Sequence, residues 1–117
     1  MLDQRVAYSG GDIEVTAGER IYIQCTGCHA PAYHRVGPKH CGLLGRHAGS
    51  EPEFEFTQTM KDSGIIWTKA TLDRFLKSPL DMMPGSSMGF VGIASSRERA
   101  QLINFLGTLT ETNPLCR

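Results

Sequence analysis

Cys25-Thr26-Gly27-Cys28-His29 is the stretch on which the reading of this 117-residue chain turns. Two cysteines three apart on one turn can reach the two vinyl groups along one edge of a porphyrin. The residue that follows then lies beneath the iron, so the pattern C-x-x-C-H reads as a covalent haem attachment signal with His29 as proximal ligand. Two other readings stay open on the pentapeptide alone. A thiol redox pair would be expected within a βαβ alternation, which the flanking sequence does not suggest. Half of a zinc site would need a second Cys or His pair at short spacing, whereas Cys41 and Cys116 are single and far apart.

Downstream, Met83-Pro84-Gly85-Ser86-Ser87-Met88 supplies a candidate for the second axial ligand. Pro84 and Gly85 dictate an extended loop that presents the Met88 thioether without a helix around it. A His/Met pair is the ligand set of the cytochromes c, and the soft sulfur favours ferrous iron. The competing reading of any methionine is core filler, and it applies to Met82 and Met83, which are expected as filler or surface.

The chain around these motifs is the size of one domain, with no room for a second core of normal size. Its 13 glycines and 6 prolines interrupt long regular structure, so a prosthetic group would supply the centre against which the chain packs. Twelve basic and twelve acidic residues cancel, which argues against the basic face that nucleic acid or an anionic membrane selects. No stretch approaches the ~20 apolar residues that span a bilayer, so no membrane insertion is expected. Met1-Leu2-Asp3-Gln4 lacks the basic start and apolar core of a secretory signal. Either the protein stays in the cytoplasm or this is a processed chain, and the cysteines favour the second.

Local patterning predicts an all-α protein. Thr16 can cap a first helix over about 16–28, with Glu19 at its third position and Ile21, Cys25 and Cys28 on one stripe. Residues 30–56 hold too many prolines and glycines for helix and should wrap as loops. Thr57 to Ser63 is a short helix ending at Gly64. Thr71 starts another, with Leu72, Phe75 and Leu76 on one face, stopping before Pro79. The last helix covers about 95–109, capped by Ser95 or Ser96, with Arg99, Leu102, Ile103, Phe105, Leu106 and Leu109 along a periodic face. Residues 1–12 read as a flexible arm, 13–110 as the domain and 111–117 as a tail. His34 and His47 are expected to face water, and His40 to be a packed or surface residue.

The ordered set of motifs resembles the mitochondrial and bacterial cytochrome c / c2 family over roughly residues 11–110. It comprises Gly18 and Tyr22, Cys25 to His29, Gly37-Pro38, Gly42-Leu43-Leu44-Gly45-Arg46, Gly64-Ile65-Ile66-Trp67, Pro84 to Met88, and Leu102 to Leu106. The resemblance implies the cytochrome c fold: three main helices, short helices and loops around one covalently bound haem c. It implies that helix one crosses the last helix near Gly18 and Phe105. It also implies that the Pro38 carbonyl accepts from the second ring nitrogen of His29, and that Arg46 and Trp67 surround a haem propionate. A plain turn proline is the competing reading of Pro38; taken alone, Arg46 reads as a surface charge and Trp67 as a core aromatic.

Phe56, Met60 and Phe75 stand where relatives commonly carry Tyr, Asn and Tyr, and His40 where they carry an apolar residue. A drier pocket disfavours the extra charge of ferric iron, whereas losing a hydrogen bond to the methionine sulfur acts the other way. The resemblance also sets Cys41 near the end of the last helix. In an oxidising compartment Cys41 and Cys116 would form a disulfide that pins the tail; otherwise they are two free thiols.

The function implied is that of a monomeric one-electron carrier rather than an enzyme, in a bacterial periplasm or, alternatively, a mitochondrial intermembrane space. Expected partners dock at the haem edge: a dehydrogenase such as one oxidising sulfite or methanol, a bc1-type complex, an oxidase or a reaction centre. The alternative is a cytochrome domain or subunit of a larger oxidoreductase. Where mitochondrial relatives carry lysines around that edge, Leu80, Asp81, Ser87, Ala94 and Ser95 stand here. This leaves an apolar face expected to comprise Leu80, Met82, Met83, Ala30 and Pro31.

Overall fold

Gly18 is the point at which the first helix meets the last. In the computed structural model, which describes residues 17–117, the chain is helical through residues 17–22 (α1) and then tightens into a 3-10 turn, Ile23–Cys25. A Cβ on Gly18 would fall 2.2 Å from the Gln101 carbonyl oxygen and 2.7 Å from Phe105 Cβ, so only glycine lets the two backbones come this close. The expected crossing is therefore present. The expected helix to residue 28 is not, because the chain turns at residues 26–28 to bring Cys28 and His29 round. The proposed cap Thr16 and the 1–12 arm lie outside the described residues.

After α1, residues 30–56 form wrapped loops, as the breakers require, with one isolated bridge pairing His47 and Ile66. Helix α2 is Gln58–Asp62, its N-terminus closed by the Thr57 side chain, which accepts from the Met60 amide. Helix α3, Lys69–Lys77, begins two residues before the expected Thr71. Thr68 is the cap, and Thr71 occupies the reciprocal position of a capping box, its hydroxyl taking the Thr68 amide. Leu72, Phe75 and Leu76 are its buried face, as the spacing predicts. Pro79 does more than stop α3: it sits in the first turn of a further short helix, α4, Pro79–Met82, where its missing N–H costs nothing.

Helix α5 spans Ser96–Gly107, capped by Ser95, which accepts from the Glu98 amide. Its periodic face is buried, and Leu102 and Leu109 are each 1% exposed. Arg99 belongs to that face for a different reason. Its guanidinium donates to Asp73 on α3 at 2.7 Å and to the Ile93 and Ala94 carbonyls at 2.8 and 3.0 Å, which satisfies a buried charge. The tail ends in a 3-10 turn, Pro114–Cys116, and a Cys41–Cys116 disulfide with Cα atoms 5.7 Å apart pins it. Among the described residues no helix is long and apolar enough to cross a membrane. The helices α1, α3 and α5 leave between them and the 30–56 loops a cavity that side chains do not fill.

A candidate haem cavity

That cavity is about 370 Å³ and is lined by Cys25, Cys28, His29, Pro38, Arg46, Trp67 and Met88, so the fold brings every expected site residue except the disulfide pair to one place. Its apolar walls come from α3 and α5, through Leu72, Phe75, Leu76, Leu102 and Leu106. Phe56, Met60 and Phe75 line it too, in keeping with the drier pocket their identities suggest.

The 3-10 turn at Ile23–Cys25 and the turn after it place two thiols at the mouth. Neither is in a disulfide; Cys28 is exposed and Cys25 half-buried. The His29 amide donates to the Cys25 carbonyl at 2.9 Å, which fixes the imidazole next to the thiols. Its Nδ1 lies 2.8 Å from the Pro38 carbonyl oxygen, and donation along that bond leaves Nε2 as the lone-pair nitrogen. Burial lowers the His29 pKa first, with the Pro38 bond opposing, so the ring is biased toward the neutral form that binds metal. Gly37 is required here: a Cβ would lie 2.1 Å from the His29 ring. Met88 is half-buried and oriented by its loop, its amide donating to Ser86 Oγ at 3.1 Å.

The same geometry bears on the competing chemistries. Burial pushes the Cys25 thiol up to about 11, the reverse of what a reactive redox thiol needs. Among the described residues no group of three or more Cys, His, Asp or Glu side chains is placed as a zinc site would require. A haem fits: two thiols, a neutral imidazole and a thioether face one cavity with a largely apolar wall.

Several residues lie differently from expectation. Arg46 lines the cavity, but two of its five N–H groups are donated to Lys39 O and Cys41 O at 2.8 Å each, and its Nε is ion-paired with Glu51 at 3.2 Å. The N–H groups that are not donated would be available to a propionate. Trp67 is buried, edge-on to Phe75 at 5.1 Å. Ala30 and Met83 are 6% and 1% exposed, so they do not belong to an apolar outer face. The α4 turn rotates Met83 into the core, where it acts as filler. His34 does not simply face water: it donates from Nε2 to Pro52 O at 2.8 Å and accepts from the Lys39 amide at Nδ1. His47 is exposed as expected.

Sequence reading also missed three contributors. Arg35 donates to the Thr26 carbonyl and clamps the haem-motif turn. Glu51 pairs with both Arg46 and Lys39. His40 stacks on His29 with ring centroids 4.1 Å apart. Only His40 carried a signal, as a polar residue at an apolar position.

No family model matches the chain. Individual proteins do. It is 41% identical over 105 residues to cytochrome c2 of Rhodomicrobium vannielii, covering 87% of this chain and 82% of that one. It is 40% identical to cytochrome c2 of Rhodoplanes tepidamans, covering 80% and 90%. Among solved structures, cytochrome cH from Methylobacterium extorquens superposes with a TM-score of 0.78 at 33% identity, over 80% of this chain and 97% of that one. With a helical fold that has no strand among the described residues and a C-x-x-C-H turn at the mouth of the cavity, the chain belongs to the class I c-type cytochromes, electron carriers rather than enzymes, which hold one covalently bound haem c.

Proposed function

We propose that this chain is a periplasmic one-electron shuttle in which Cys25 and Cys28 hold the haem covalently and His29 and Met88 are its axial ligands. The observation that carries the reading is that all four side chains line one cavity, with the His29 ring oriented by the Pro38 carbonyl at 2.8 Å. The bound haem supplies the chemistry, a one-electron Fe(III)/Fe(II) couple. The protein's part is to hold ligand geometry and exclude water. The His29 bond to Pro38 fixes the ring tautomer, the Met88 loop presents a polarizable sulfur, and with both side chains given to the iron no open position would be left for a substrate. Arg46 and the Trp67 indole line the same cavity and would offer N–H donors to a haem propionate.

Residues 13–110 form the electron-transfer domain, and the disulfide holds 111–117 against it. The partners are redox proteins of the bacterial envelope: a dehydrogenase, a bc1-type complex, an oxidase or a reaction centre. The bacterial c2 relatives support the periplasm over the mitochondrial space. Docking uses the cavity mouth, whose exposed side chains Gln24, Val36 and Ser87 are uncharged, with Leu80 beside the Met88 loop 51% exposed.

Absorption spectroscopy of purified holoprotein tests the assignment. The expected result is a haem that survives acid acetone extraction, a weak far-red sulfur-to-iron band in the ferric state, and no carbon monoxide binding in the ferrous state. Met88→Ala should abolish the far-red band and admit carbon monoxide. Retention of the band in that variant would overturn the ligand assignment.

A further inference from the structure

We infer that His40 is a positioning residue for the proximal ligand, holding the plane of the His29 imidazole through a chain that runs from α5 through Tyr22. The inference rests on His29 being the haem ligand.

A single hydrogen bond leaves the ring underdetermined. The Pro38 carbonyl fixes Nδ1 at one point, but the terminal torsion of a histidine is broad, so the ring can still rock about that contact. His40 removes this freedom. Its ring lies nearly parallel to that of His29, 23° between planes at 4.1 Å, and covers it face to face. His40 is itself held on two sides: its amide donates to Pro31 O at 3.1 Å, and its Nδ1 lies 2.9 Å from the Tyr22 hydroxyl. Tyr22 is buried and packs on Phe105 of α5 at 5.1 Å. The arrangement thus links the crossing of α1 and α5 to the ligand ring. An aliphatic side chain at position 40 would fill similar space, yet it could neither stack as a plane nor hydrogen-bond to Tyr22.

The orientation of an axial imidazole plane sets how unpaired spin is distributed in a low-spin ferric haem, and packing alone does not mimic that readout. The test is proton NMR of the haem methyl groups and EPR g values on ferric holoprotein. His40→Leu should keep covalent haem and change the spread of the methyl resonances. Tyr22→Phe should shift it in the same sense by less, and the double variant should match His40→Leu, because the two residues act in one chain. Methyl patterns in both single variants that coincide with the parent would overturn the inference, as would strictly additive effects. If His40→Leu yields no holoprotein, Tyr22→Phe alone decides: a changed pattern supports the inference and an unchanged one overturns it. Failure of His29 ligation would instead appear as the lack of a low-spin ferric spectrum in the parent.

Discussion

Cys41 and Cys116 lie with Cα atoms 5.7 Å apart in a disulfide that fastens the C-terminal tail to the loop carrying Pro38 and His40. The two residues are separated by 75 positions, so the bridge closes most of the chain into one loop. In the chain-entropy account a loop of that length contributes about 4 kcal/mol, by restricting the unfolded ensemble. Cys41→Ser/Cys116→Ser is expected to lower stability to denaturant by roughly that much while leaving the haem spectrum intact. Non-reducing mass spectrometry of the parent should find no alkylatable thiol, and two would contradict the bridge.

Arg99 is the second anchor, and it acts between helices. It donates to Asp73 at 2.7 Å and to two loop carbonyls, so it joins α3, α5 and the segment leading out of the Met88 loop. Truncation would strand the Ile93 carbonyl in a buried site, whereas the half-exposed Asp73 could rehydrate. Arg99→Ala should therefore cost about 2–3 kcal/mol in chemical unfolding, below the cost of breaking a fully buried pair, with little change in the far-red band.

Much of this was legible in the sequence because the signals were local. The haem turn, the Ser95 cap and the α3 face each depend on residues close in the chain, whereas the crossing at Gly18 was implied only by the family resemblance. What escaped depended on tertiary partners. Thr71 reads as a helix start, but its hydroxyl serves the Thr68 amide, so the start moved upstream. Arg99 falls on an apolar period, and nothing local reveals that Asp73 faces it. Met83 and Ala30 were expected on an outer face because α4 was not foreseen and the packing of the haem turn is not visible in one dimension.

Acid should destabilise the fold through His40. Burial is the main cause that pushes its pKa down to about 3, with the neighbouring His29 and Arg46 adding to the effect, while in the unfolded chain it returns to about 6.5. The native state then binds fewer protons than the unfolded state across that window. Stability is full above pH ~6.5 and falls with decreasing pH, by up to about 1.4 kcal/mol per unit, until about pH 3. Chemical unfolding of holoprotein at a series of pH values should give a shallower acid slope for His40→Leu than for the parent. Equal slopes would assign the acid sensitivity elsewhere.

Gly37→Ala should be among the most damaging single-methyl substitutions in the chain. The added carbon would sit 2.1 Å from the His29 ring, and the ring cannot retreat without losing its bond to Pro38 O and its stack on His40. Overpacking of this kind costs typically 1–3 kcal/mol in a core. Here the strain should appear in ligation as well: the ferric holoprotein should show a changed low-spin spectrum, and Gly27→Ala, whose added carbon would meet nothing within 4 Å, is the control.

The cavity mouth leads to a prediction about rates. Gln24, Val36 and Ser87 stand exposed around it, and Arg46, the charged residue among those lining the cavity, already carries Glu51 at 3.2 Å. Long-range attraction between rings of opposite charge speeds encounter and collapses as salt screens it, but an uncharged mouth offers little to screen. Electron transfer with the physiological partner, followed by stopped flow from low to high ionic strength, should therefore change by no more than about threefold. Val36→Lys, which puts a charge at a site 75% exposed, should make the same rate depend on salt, in the direction set by the partner's own charge. A steep dependence in the unsubstituted protein would mean that charges farther out, and not this mouth, guide the encounter.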